Sequence, residues 1–133
     1  DPLALIKGIK DGTIDFIASH HQPQDWDHKV CAFEYAKNGM EGLESVFPAI
    51  HTCGITTEHF VKMQTENIRN IFKIAIPSIE NGNVANLTLF IPDEEVVFEE
   101  KNMMSKCSNN AFIGKKLIGK VVGIINGDKL LLS

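Results

Sequence analysis

The hydrophobic pattern of the chain changes character between residues 72 and 80, and this change limits the folds that are open to it. Before that point, apolar residues recur at helical spacing in several short segments. After it, they form short β-branched runs that Gly, Asn and Pro separate. The first spacing is typical of amphipathic helices and the second of strands joined by turns. We therefore predict an α/β part, residues 1–74, followed by a small β part, residues 75–133.

The first part opens with a helix and a buried strand. Asp1 and Pro2 suit an N-cap and a first helical position, and Gly12 supplies the stop. Ile14–Ala18 is a short apolar run with β-branched and aromatic residues, which predicts a strand of the kind found in parallel sheets. A helix followed by such a strand is half of an α/β unit.

A polar segment, residues 19–29, follows this predicted strand. It holds three histidines and the only Trp of the chain. Because α/β folds place their chemistry just past the carboxyl ends of parallel strands, we expect a functional site here.

Three more helices are predicted in the first part. One runs from about Met40 to His51, where Pro48 should kink or shorten it, and its apolar face consists of Leu43, Val46, Phe47 and Ile50. Thr56 or Thr57 can cap the next helix. A short third helix covers residues 68–72.

The second part reads as strands and turns. Asn81-Gly82-Asn83 predicts a turn before the strand run, and residues 99–113 read as a long loop. Asn126-Gly127 gives the strongest hairpin signal of the chain. The predicted strands are Ala85–Ile91, Val96–Phe98, the runs 117–118 and 121–125, and Leu130–Leu132.

Composition restricts the partners and the compartment. The net charge is −4, with 13 basic and 17 acidic residues, and no basic stripe is present, so we expect no nucleic-acid partner. No apolar run approaches the roughly 20 residues that span a bilayer. Three widely spaced cysteines indicate neither a disulfide framework nor a zinc site, which favours a cytoplasmic setting. The start, Asp1-Pro2-Leu3, reads as a cut inside a longer chain.

Four segments resemble, in the same order, the end of a dihydroorotase, a member of the cyclic amidohydrolase family. The residues 12–19, Gly-Thr-Ile-Asp-Phe-Ile-Ala-Ser, are similar to the family's last-strand motif, and residues 39–44 to its Gly-x-x-Gly-Leu-Glu segment. Residues 85–90 resemble Ala-Asp-Leu-Thr-Leu-Phe. Residues 105–121 resemble Ser-Lys-x-x-Asn-Thr-Pro-Phe-x-Gly and the Leu-x-Gly-Lys-Val that follows it.

The resemblance implies a fold. The chain would be the end of an amidohydrolase TIM barrel, with its last strand and helices, followed by the C-terminal part of an accessory β-sandwich. The intact family member binds zinc. The family's His-x-His motif is absent from this sequence, and its bridging lysine and later histidine ligands would lie upstream of Asp1. We therefore expect no metal ligands and no cofactor in this segment.

The resemblance also implies site residues. The family's last strand ends in Asp-His-Ala-Pro-His, whereas this chain has His-His-Gln-Pro-Gln at residues 20–24. His20 stands at the position of the catalytic Asp, and Gln24 at that of a substrate-binding His. Asn38 and Gly39 occupy the mapped substrate loop, with Asn in place of the usual Phe. A neutral imidazole brings no compensating negative charge, and an amide brings no positive charge, so the motif is degenerate.

Two functions remain open on these grounds. The parent is a zinc-dependent dihydroorotase of pyrimidine biosynthesis, or it is a non-catalytic homologue that acts as a structural partner of aspartate carbamoyltransferase. Hydantoinases and allantoinases share the scaffold, so the substrate of the parent stays open. A third hypothesis, an unrelated β-rich interaction domain, ranks last among the possible functions. We expect the segment to be inactive alone. Its expected partners are the remainder of the parent chain and further copies of itself, because its apolar faces would be uncovered.

Overall fold

The computed structural model describes residues 1–132, which form a helical first half and an antiparallel sheet. The helices are α1 (Pro2–Lys10), α2 (Val46–Thr52), α3 (Thr57–Lys62) and α4 (Ile68–Phe72), with a π-helical segment, Met63–Asn67, joining the last two. The strands are β1 (Asn86–Val97), β2 (Lys116–Asn126) and β3 (Lys129–Leu132). Three short 3-10 turns lie at Trp26–His28, Phe33–Tyr35 and Glu100–Asn102. No helix in residues 1–132 is long and apolar enough to cross a membrane.

The first helix forms as predicted and supplies part of a small core. Asp1 accepts a hydrogen bond from the Leu3 N–H at 2.9 Å and caps α1. Ile9 of this helix is buried against Ile55 and Met63. Partly buried apolar residues surround this group, namely Ile6, Ile14, Ile17, Ile50 and Phe60.

The predicted strand over residues 14–18 is wrong: this segment has no strand pairing. A parallel strand needs a neighbour to bond its amides, and the only sheet among the described residues is the antiparallel one formed later in the chain. Side-chain amides take over part of that role. Gln64 Nε2 donates to the Ile17 carbonyl at 2.7 Å and Asn67 Nδ2 donates to the Asp15 carbonyl at 2.8 Å.

The helix predicted from Met40 to His51 is too long at its N-terminal end, because α2 begins at Val46. Residues 41–44 form a turn instead, and Leu43, expected on the apolar face, is exposed. Pro48 is the third residue of α2, where the missing N–H would lack a helical partner anyway. The proline therefore shortens the helix as predicted.

The next two helices agree with the sequence. Thr56 caps α3 by accepting a hydrogen bond from the His59 N–H at 3.3 Å, as one of the two proposed caps. The helical path continues through the π-helical segment into α4. It ends at Lys73, which takes a left-handed conformation with φ 56°.

The sheet has order β1-β2-β3, and its strands are longer than predicted. The two strand signals on either side of Pro92 merge into the 12 residues of β1. The pairing of β1 with β2 shifts register between Leu89 and Phe90 and again between Ile91 and Glu95. The second irregularity absorbs Pro92, which cannot donate to a ladder.

The hairpin signal is confirmed. β2 pairs with β3 from Asn126↔Lys129 to Gly123↔Leu132. Gly127, with φ 63°, lies in the connecting loop, and its N–H donates to the Ala85 carbonyl at 2.7 Å. The loop expected over residues 99–113 contains no strand, and its one helical element is the 3-10 turn Glu100–Asn102.

Aromatic contacts join the helices to the sheet. The Phe47 ring lies 4.8 Å from that of Phe90 and 5.3 Å from that of Phe60, measured between centroids. Gly119 of β2 passes under Phe47, and a Cβ there would lie 2.7 Å from the Phe47 ring. The helical half and the sheet therefore meet at a glycine that leaves room for an aromatic side chain.

We predict that Gly119→Ala destabilises the chain by roughly 2–4 kcal/mol, because it adds steric overlap to an unfavourable φ of +100°. Gly82→Ala is the matched control. Its φ is +93° but nothing lies within 4 Å of the added carbon, so it should cost only about 1 kcal/mol. Urea unfolding of both variants gives the two values, and equal losses would show that the Phe47 contact is unimportant.

Candidate functional site

Residues 19–24, here called the site loop, pack against the turn formed by residues 38–45. The Gln22 N–H donates to the Met40 carbonyl at 2.9 Å. Two glycines of the turn permit this approach: a Cβ on Gly39 would lie 2.6 Å from the Gln22 oxygen, and one on Gly42 would lie 2.8 Å from the Ser19 oxygen. Both glycines of the Gly-x-x-Gly segment are thus needed for the backbone of the site loop to fit.

Glu41 lies between these glycines and is completely buried. One carboxylate oxygen accepts hydrogen bonds from the Leu43 N–H at 2.8 Å and the Glu44 N–H at 3.2 Å. The other accepts from the Asn110 amide at 2.8 Å. A buried carboxylate is tolerated when hydrogen bonds satisfy its oxygens, and here they also fix the turn.

The side-chain donors to this turn come from residues 103–112, here called the clamp loop. Asn110 Nδ2 also lies within bonding distance of the Glu41 carbonyl and the Ser45 hydroxyl. Asn109 donates from its side chain to the Gly39 carbonyl at 2.9 Å, and its own carbonyl accepts from the Glu41 N–H at 2.8 Å. Two consecutive asparagines thus join the clamp loop to the turn.

Glu44 makes a second connection between the same segments. Its two carboxylate oxygens accept hydrogen bonds from the Met104 N–H at 2.9 Å and the Ser105 N–H at 2.8 Å. The Cys107 thiol donates to the Gln24 carbonyl at 3.0 Å, which connects the clamp loop to the site loop. Three segments that are distant in sequence therefore meet in one polar network.

His21 faces this network. Its Nδ1 lies 3.3 Å from the Gly42 nitrogen and 3.4 Å from a Glu41 carboxylate oxygen. A neutral ring can accept from the Gly42 N–H, whereas a protonated ring can donate to Glu41, since one nitrogen cannot do both. His21 is therefore held beside a buried carboxylate in either state.

The residues predicted from the resemblance are only partly brought together. His20 is exposed and has a left-handed φ of 47°. Asn38 is exposed as well, while Gly39 is half-buried and its carbonyl is occupied by Asn109. Gln24 is half-buried, and its main chain contacts Cys107. The catalytic and substrate-binding roles assigned to these positions stay predictions.

A metal ion would need several ligating side chains close to these positions. Within residues 1–132, no group of three or more His, Cys, Asp or Glu side chains is placed to hold a metal ion. His20 has no carboxylate partner there, and His21 Nδ1 is already engaged. The described residues alone do not fit a zinc ion, which takes four ligands or three and a water.

Curated relatives match the chain from end to end. A dihydroorotase from Clostridium acetobutylicum is 34% identical over 98% of this chain, and one from Chlorobaculum tepidum is 34% identical over 97%. The matched region is 32% of the first relative and 30% of the second. The chain thus spans about a third of the length of the curated relatives it matches. No protein-family profile matches it.

This chain is related to the dihydroorotases. The resemblance carried by the four sequence segments is thereby confirmed. The likeness covers one segment of a dihydroorotase only.

Solved structures give the same fold. A dihydropyrimidinase from Brevibacillus agri superposes with a TM-score of 0.83 at 19% identity, covering 97% of this chain and 30% of that one. A D-hydantoinase from Thermus sp. superposes with a TM-score of 0.76 at 18% identity, covering 98% and 32%. The dihydroorotase-like chain therefore has the fold of a segment of these amidohydrolases, an α/β region with a small antiparallel sheet.

Sequence reasoning missed the residues that organise this part of the dihydroorotase-like fold. The sequence indicates Glu41, Glu44, Asn109 and Asn110 only as members of matched segments. The signal that could have indicated Glu41 is the pair of glycines on either side of it, because glycine allows another backbone segment to approach closely. Nothing in the pattern indicated that Asn110 would be the partner.

We predict that Asn110→Ala destabilises the chain by about 3 kcal/mol, because it leaves a buried carboxylate oxygen of Glu41 without its side-chain donor. Asn109→Ala is the neighbouring control. It removes one hydrogen bond to a partly buried carbonyl and should cost about 1 kcal/mol. Denaturant unfolding compares them, and a larger loss in Asn109→Ala would contradict the central role of the carboxylate.

Proposed function

We propose that this chain is the C-terminal segment of a dihydroorotase-like cyclic amidohydrolase and that it works only when joined to the rest of such a fold. The parent reaction is the opening or closing of the cyclic amide of dihydroorotate in pyrimidine biosynthesis. In this proposal residues 1–74 complete a barrel and residues 75–133 contribute to an accessory β-sandwich.

Uncovered apolar surface is the observation that carries the proposal. Among residues 1–132 only five hydrophobic residues are buried, whereas Phe33 is 93% exposed, Ile79 85% and Val84 78%. Large apolar side chains in such numbers are usually covered by another part of a protein. Relatives that are about three times as long would supply the missing surface.

One region of this surface forms a cleft of about 680 Å³ between α3, the segment 76–88 and β1. Its apolar lining includes Phe47, Phe60, Ile76, Ile79, Val84 and Phe90. An apolar cleft with an aromatic floor fits a strand or helix of the remaining two thirds of the fold. We assign it to that contact.

We predict that the chain binds the complementary two thirds of the Clostridium acetobutylicum dihydroorotase. Ile79→Glu should weaken this complex at least tenfold, because it places a charge in an apolar contact. Lys101→Glu is the control, since Lys101 pairs with Glu99 on the exposed 3-10 turn at residues 100–102. Size-exclusion chromatography with light scattering measures the complex. No complex, or equal weakening by both changes, would refute the proposed contact.

Loss of catalysis is the second element of the proposal. In the family the last-strand Asp accepts the proton and brings a negative charge, whereas His20 at that position offers a neutral imidazole without that charge. Gln24 replaces the residue that would help to hold the substrate carboxylate. Both changes lie in the site loop, next to the network around Glu41.

We predict that a chimera carrying this chain on the first two thirds of the Clostridium acetobutylicum dihydroorotase hydrolyses dihydroorotate on the order of 10²–10⁴-fold more slowly than the natural enzyme. His20→Asp combined with Gln24→His should restore most of that loss. His28→Asp combined with Gln22→His introduces the same side chains in the same region and should not. A fully active unmodified chimera would show that His20 is compatible with catalysis.

The alternative role, a non-catalytic partner of aspartate carbamoyltransferase, is favoured by the same two substitutions. Both candidates need the parent fold but differ in what it does. Stoichiometric co-purification of the inactive chimera with aspartate carbamoyltransferase would support this alternative. Rescue of hydrolysis without such binding would support the lost-enzyme interpretation.

A further inference from the structure

Three Asn-Gly pairs occur in the chain, at residues 38–39, 81–82 and 126–127. Glycine has no side chain to shield its backbone nitrogen, so this nitrogen can attack the side-chain carbonyl carbon of the asparagine before it. Because the three pairs have the same two residues, the fold decides which of them is free to react. The structure places them in three different environments.

The pair at residues 126–127 is held by the sheet. Asn126 is the last residue of β2 and pairs with Asn86 of β1 and Lys129 of β3. The Gly127 N–H donates to the Ala85 carbonyl at 2.7 Å. The nitrogen that would attack is therefore engaged, and this hydrogen bond must open before Asn126 can react.

The pair at residues 38–39 is held by the two loops around it. The Gly39 carbonyl accepts a hydrogen bond from the Asn109 side chain at 2.9 Å. A Cβ on Gly39 would lie 2.6 Å from the Gln22 oxygen, so the site loop packs directly on this glycine. Asn38 itself is exposed, but ring closure would have to rotate its backbone against these contacts.

The pair at residues 81–82 has neither kind of restraint. Every residue from 71 to 84 is exposed, and nothing lies within 4 Å of a Cβ built on Gly82. Within residues 1–132, neither Asn81 nor the Gly82 N–H takes part in a hydrogen bond. One hydrogen bond closes the turn around the pair, from the Asn83 N–H to the Glu80 carbonyl at 3.2 Å. The backbone of Asn81 can therefore rotate without breaking a packed contact.

We infer that Asn81 is a site of spontaneous deamidation and that it is modified before Asn38 and Asn126. The Gly82 nitrogen bonds to the Asn81 Cγ, the Cγ–Nδ2 bond breaks, and the proton of the Gly82 nitrogen leaves with Nδ2 as ammonia. Water then opens the resulting succinimide ring at either carbonyl, which gives aspartate or isoaspartate. Each conversion adds one negative charge to the net charge of −4.

The modification falls within the loop that borders the apolar cleft. Ile79 and Glu80 precede the pair, Asn83 and Val84 follow it, and all four line the cleft. Isoaspartate carries the main chain through its side-chain carbons, so it adds a methylene group to the backbone of this loop as well as a carboxylate. The reaction needs only this chain and water, whatever reaction the parent protein catalyses.

The test is incubation of the folded 133-residue chain in mildly alkaline buffer, followed by tryptic digestion and mass spectrometry. The three pairs fall in three different tryptic peptides, residues 38–62, 74–101 and 121–129, and fragmentation assigns the modified asparagine within each. We expect Asn81 to be deamidated about tenfold faster than Asn38 or Asn126, because the contacts around the other two must open first.

Two comparisons separate the effect of the fold from that of the dipeptide. Asn81→Gln should abolish most of the charge change seen by ion-exchange chromatography, because a glutamine would have to close a larger ring, whereas Asn38→Gln should leave it unchanged. In concentrated urea the three asparagines should react within about threefold of one another, because unfolding removes the contacts that protect two of them. Deamidation of the folded chain at Asn38 or Asn126 as fast as at Asn81, no deamidation at Asn81, or a preference for Asn81 that persists in urea would each overturn the inference.

Discussion

The site loop, the turn at residues 38–45 and the clamp loop are held together by the buried carboxylate of Glu41. It is enclosed without solvent contact, and it is tolerable only because two backbone N–H groups and the Asn110 amide satisfy its oxygens. Because those donors come from the turn and from the clamp loop, the charge can be buried only when both segments are in place. Glu44 reinforces the same connection through Met104 and Ser105. The geometry around the site loop thus follows from the need to satisfy one charge.

The hydrophobic core around Ile9, Ile55 and Met63 has a different organisation. It is small, and much of the hydrophobic surface of the chain faces solvent. The segment 14–18 shows the consequence most clearly, since it has the sequence of a buried strand but no strand beside it. Two side-chain amides bond to its carbonyls instead. Polar contacts therefore fix local geometry in this chain, while burial of the apolar surface requires more of the fold.

Local sequence signals predicted the elements whose causes are local. The Asp1 and Thr56 caps and the hairpin near Gly127 depend on neighbouring residues, and all three are present. The strand predicted at residues 14–18 is absent because strand pairing depends on a partner far away in sequence. The predicted start of α2 is wrong because the backbone of residues 40 and 41 bonds to distant segments, the Met40 carbonyl to the Gln22 N–H and the Glu41 N–H to the Asn109 carbonyl.

The contacts around the site loop could be predicted from the sequence only in part. A polar segment after a strand-like run indicated the site loop, and family resemblance supplied the roles proposed for His20 and Gln24, which stay predictions. The partners of Glu41 could not be found in this way, because Asn110 is 69 residues distant and no periodicity relates the two.

The π-helical segment between α3 and α4 has a consequence for how sequence length can vary. Gln64 and Asn67 both lie within it, and both reach the segment 14–18. Removing one residue from that segment would rotate α4 by about 100° relative to α3 and turn Asn67 away from Asp15. Insertions and deletions should therefore be excluded from Met63–Asn67.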